Sequence, residues 1–92
     1  MILGGWNLDE VKGCTLPQKP QSAFIAVTSA LVGAEYEPVA YLGSQQVNGT
    51  NYRILAIQNY ISPNSTPQIV RMIIHEDLDG TVRLMSISRA DL

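Results

Sequence analysis

Along this chain the spacing of apolar residues changes once, from a helical to a strand-like period, near residue 38. Between Pro20 and Leu31, the residues Phe24, Val27 and Leu31 recur at i, i+3 and i+7, with Ala23 and Ala30 on the same side. The spacing predicts a single amphipathic helix over 20–33. Pro17 or Pro20 fits its first turn, where a missing N–H costs nothing, and Gly33 fits the position just past its end. Val, Thr and Ile lower the intrinsic propensity of this stretch, so burial of its apolar side must hold it. Ahead of it, Gly4, Gly5, Gly13 and Pro17 interrupt residues 1–19, which end at Lys19-Pro20 and read as an extended N-terminal arm.

After Glu37-Pro38 the texture is that of strands, beginning with Val39-Ala40-Tyr41-Leu42 and running into Gly43-Ser44. Asn48-Gly49 is the strongest short hairpin signal available, because both central positions of a type I′ turn need positive φ. Tyr52 to Ile57 reads as the returning strand, with Tyr52, Ile54 and Ala56 on one face and Arg53, Leu55 and Ile57 on the other. One face suits packing on the helix, and the other is expected to be partly open. Ser62-Pro63-Asn64-Ser65-Thr66-Pro67 is a polar loop. Ile69 to His75 is a third strand, Asp79-Gly80 turns a second hairpin, and Val82 to Ser88 returns with Arg83, Ser86 and Ser88 suited to a solvated side. The order predicts an α+β fold, one N-terminal helix packed on a single antiparallel sheet whose strands fill 39–88, as one domain over 1–92. If the two tips and the arm gather at one end, they form a wedge.

Composition narrows the chemistry. A length of 92 residues allows one compact domain. With 6 Lys+Arg against 8 Asp+Glu, a net charge of −2 and no basic run, the footprint needed for phosphate is missing, and no nucleic-acid partner is expected. Cys14, the single cysteine, can close no intrachain disulfide and cannot build a thiolate metal cluster, which suits a reducing, cytoplasmic setting. The first residues lack a basic n-region and meet Asp9-Glu10 early, so no signal peptide is expected. No apolar run reaches the ~18 residues of a membrane span. The one histidine, His75, leaves no paired imidazoles for a metal site, so neither metal nor cofactor is expected. Cys14 in the arm and His75 near a strand end have no third orienting group, and they read as an ordinary thiol and a surface histidine. The chain reads as a binder, not an enzyme.

Gln45-Gln46-Val47-Asn48-Gly49, followed by Thr50-Asn51-Tyr52, resembles the Gln-x-Val-x-Gly first-hairpin motif of the cystatins. Its Gly-Thr-Asn-Tyr continuation is similar to the stefin (type 1) branch. Met1-Ile2-Leu3-Gly4-Gly5 is similar to the stefin N-terminus, which also carries a glycine pair behind apolar residues. The resemblance implies a helix on a curved antiparallel sheet and reversible, tight inhibition of papain-like cysteine proteases by filling the active-site cleft. It also implies a monomer, and allows a domain-swapped dimer. The contact residues it implies are Leu3, Gly4 and Gly5 in the arm, Gln45, Gln46, Val47, Asn48 and Gly49 in the first tip, and Leu78 and Asp79 in the second.

Elementary chemistry agrees with those assignments. Gly4 and Gly5 lack Cβ atoms, so their backbone can lie against a cleft wall, and Leu3 suits a hydrophobic S2 pocket. Gly49 keeps the first tip narrow, Val47 supplies apolar area and Gln45 a polar anchor. Such a wedge presents no scissile carbonyl, so no acylation follows. Asn48-Gly49-Thr50 and Asn64-Ser65-Thr66 both match the glycosylation sequon, and a glycan on Asn48 would obstruct the wedge, in keeping with a life outside the secretory pathway. The alternative is a non-inhibitory domain of the same fold whose open sheet face binds another protein or a second copy.

Overall fold

The computed structural model describes residues 15–62 and 64–90. Helix α1 (Gln18–Thr28) is followed by strands β1 (Ala34–Gln46), β2 (Thr50–Tyr60), β3 (Gln68–Glu76) and β4 (Val82–Arg89). The strands form one four-stranded antiparallel sheet in the order β1-β2-β3-β4, each paired with its neighbour in sequence. The α+β layout is therefore the expected one, while the element bounds differ, most at the end of α1, the start of β1 and both ends of β2.

The helix is shorter than its apolar spacing predicts. Its buried stripe is Pro20, Ala23, Phe24 and Val27, at i, i+3, i+4 and i+7. Pro17 caps it without a side-chain bond, its carbonyl accepting from the Gln21 N–H at 2.9 Å. At the other end Thr28 Oγ1 donates to the Phe24 carbonyl at 2.7 Å, and Ser29 Oγ donates to that of Ile25. The Ala30 and Leu31 N–H groups then shift to carbonyls three residues back, on Val27 and Thr28. Hydroxyl bonding to the i−4 carbonyl and a tightened last turn end the helix there. Ala30 is consequently exposed and Leu31 only half-buried. Gly33, at φ 86°, redirects the chain into β1 instead of capping the helix.

Strand β1 starts at Ala34, ahead of the expected Val39. Half-buried Ala34 and Tyr36 alternate there with exposed Glu35 and Glu37, a period-two pattern. Pro38 is tolerated because β1 is an edge strand and its register shifts between Pro38 and Ala40. A second shift falls between Tyr41 and Gly43, where Gly43 has φ 118°.

One face of the sheet carries the core. Tyr52, Ile54 and Ala56 on β2 lie opposite Ile74, Met72 and Val70 on β3. Leu16, Ala23, Phe24 and Val27 join them in one cluster. Ile54, Met72 and Ile74 are fully excluded from solvent, so truncating any of them to Ala costs about 2–5 kcal/mol. The helix packs over β3 and β4. The opposite face presents exposed Arg53 and Arg71 among half-buried Leu55 and Ile73.

Candidate functional site

Gln46 pairs with Thr50, Thr50 with Glu76, and Glu76 with Val82, so the β1–β2 and β3–β4 turns lie side by side at one end of the sheet. The first turn holds three residues, Val47, Asn48 and Gly49, instead of the two of a type I′ loop. Both signal residues nevertheless have positive φ, 47° at Asn48 and 118° at Gly49. The Val47 N–H donates to the Gly49 carbonyl at 3.0 Å. Gln45, Gln46, Val47 and Asn48 are exposed, whereas Gly49 is buried. A Cβ on Gly49 would sit 2.5 Å from the Glu76 carbonyl oxygen and 3.0 Å from the His75 ring, so the tip folds back against β3 where only glycine fits.

His75 is not the surface residue its neighbourhood in the sequence suggests: it is 7% exposed. Cross-strand pairing sets it opposite Asn51, with Nδ1 2.7 Å from Asn51 Oδ1. Its Nε2 lies 2.9 Å from Asp77 Oδ1. The ring thus donates to a carboxylate on one side and meets an amide on the other, which accepts from an imidazolium or, turned over, donates to the neutral ring. On the helix side Tyr52 donates its hydroxyl proton to Glu76 Oε1 at 2.7 Å. Burial, reinforced by the hydrogen bond to Glu76 and its charge, pushes the Tyr52 phenol up to about 12.

The second tip is Leu78-Asp79-Gly80. The Gly80 N–H donates to the Asp77 carbonyl at 2.9 Å and the Asp77 N–H to the Thr81 carbonyl at 2.8 Å, with Gly80 at φ 91°. This is the arrangement of a hairpin loop closed through a left-handed glycine. Asp79 Oδ1 accepts from the Thr81 N–H at 2.9 Å, which holds its carboxyl below the usual range. Leu78 is 81% exposed.

Of the expected contact residues, Gln45, Gln46, Val47, Asn48, Gly49, Leu78 and Asp79 come together at this end. Leu3, Gly4 and Gly5, with Trp6 and Cys14, lie outside the described residues. Sequence reasoning gave no contact role to Asn51, His75 or Asp77, because the register that sets Asn51 opposite His75 is that of β2 with β3, which neither glycine turn fixes. Behind the first tip an open groove of about 290 Å³ is lined by residues that include Gly43, Gln45, Asn51 and Arg53. Among the described residues, no cluster of three or more His, Cys, Asp or Glu side chains could hold a metal ion. No described helix is long and apolar enough to cross a membrane. No protein-family model, curated protein or solved structure matches the chain.

Proposed function

We propose that this chain is a cystatin-fold, stefin-like reversible inhibitor of papain-like cysteine proteases, acting in a reducing, cytoplasmic setting. The observation that carries the reading is the pairing of two narrow hairpin tips at one end of the sheet, each with an exposed apolar side chain, Val47 on one and Leu78 on the other. In this reading Gln45 to Gly49 enter the cleft beside the protease nucleophile, Leu78 and Asp79 meet its primed side, and Leu3 to Gly5 occupy the non-primed side. The reactive Cys and His belong to the partner, and the chain blocks them without offering a bond to cleave.

Steady-state titration of papain tests this directly: inhibition at submicromolar chain is expected, and none at micromolar chain refutes the reading. Deleting residues 1–4 is expected to weaken inhibition mainly by faster dissociation, because the arm's contacts matter after encounter; an unchanged dissociation rate removes the arm from the mechanism. A second reading, a non-inhibitory interaction domain, draws on the open sheet side, where exposed Leu42 lines the same groove as Arg53. The papain titration separates the two.

A further inference from the structure

The two tips are joined by side chains. Asn51 follows the first turn on β2, and Asp77 opens the second turn after β3. The His75 ring stands between them, 2.7 Å from one and 2.9 Å from the other. Gly49 lies directly over that ring, at a distance where an added Cβ would come within 3.0 Å of both Cε1 and Nε2. The ring is therefore part of the surface on which the first tip packs. Among the described residues, no buried side-chain nitrogen or oxygen lacks a partner, so each ring nitrogen is held. A ring fixed at both nitrogens and covered by backbone cannot rotate without breaking one of these contacts.

We propose that His75 is a positioning residue that makes the two tips one contact surface, with Asp77, on the second hairpin, setting the pose of Gln45–Gly49 on the first. Its consequence for inhibition rests on the reading above; the coupling itself does not.

The test uses amide resonances of the full chain, which a mere loss of stability leaves in place while the protein is folded. Asp77→Ala is expected to move the Asn48 and Gly49 resonances by several linewidths. Asp77→Asn, which keeps an oxygen for Nε2–H, is expected to return them. Asp79→Ala removes the same charge from the same turn without touching the His75 contacts, and is expected to leave them unmoved. Stationary Asn48 and Gly49 resonances in Asp77→Ala, or equal movement in Asp79→Ala, overturn the proposal. With papain, Asp77→Ala is expected to dissociate roughly tenfold faster than the unaltered chain and Asp77→Asn to stay near it; moved resonances with an unchanged dissociation rate refute the functional consequence. If papain ignores the unaltered chain, the inhibitor reading fails while the resonances still decide the coupling.

Discussion

The two hairpin tips use the same chemistry for different reasons. Each turns through a small polar residue followed by glycine, Asn48-Gly49 and Asp79-Gly80, and both glycines have positive φ. Around Gly80 an added Cβ would meet nothing within 4 Å. Around Gly49 it would strike the Glu76 carbonyl and the His75 ring. The second glycine answers to its own dihedral angle; the first answers also to the strand beneath it. A turn signal in a sequence therefore does not say whether the tip it makes stands free or is packed down. Here that difference separates a locally closed loop from one tied to the neighbouring hairpin.

Three substitutions probe this contrast. Gly49→Ala adds a backbone clash to a left-handed strain, and chemical denaturation is expected to show a loss of about 2–4 kcal/mol together with weakened papain inhibition. Gly80→Ala carries the strain alone, at about 1–2 kcal/mol. Equal losses at the two positions would erase the distinction. Tyr52→Phe removes the Tyr52–Glu76 bond beneath the first tip and is expected to cost about 1 kcal/mol near neutral pH. It also has an alkaline signature. The unfolded chain releases the phenol proton near the ordinary value of about 10, the folded protein only near 12. The stability linked to this proton is thus complete below the unfolded value and is lost as pH rises through the folded one. Denaturation midpoints of the unaltered chain should fall more steeply over that alkaline range than those of Tyr52→Phe, and parallel profiles would show that the phenol takes no part.

The parts legible in the sequence were those governed by local chemistry. Asn48-Gly49 and Asp79-Gly80 mark both turns, and alternation groups Tyr52, Ile54 and Ala56 on one face, which the structure makes the core face. The end of α1 was not legible from apolar spacing, because Ala30 and Leu31 continue the period past Thr28 and Ser29, whose hydroxyls close the helix. The start of β1 was hidden by Pro38, which signals a break unless the strand is known to lie at an edge. His75 reads as a surface residue in the sequence because groups that lie against its ring, Gly49 and Asn51, come from another hairpin. That proximity is tertiary, and a lone histidine among Ile74, Glu76 and Asp77 does not announce it. The first turn gained a residue over the two-residue loop because the register closes at Gln46 and Thr50, which the dipeptide alone does not determine.

The order of the sheet bears on how the chain reaches this structure. Every strand pairs with the one next to it in sequence, so the sheet can zip up from three short hairpin closures without waiting for distant segments to meet. Helix α1 breaks the pattern. It rests on β3 and β4, with the whole of β1 and β2 intervening, so its docking closes a loop of about 40 residues between Thr28 and Gln68. The hairpins are thus the local part of the fold, and the seat of Phe24 and Val27 on β3 and β4 is its most distant contact in sequence.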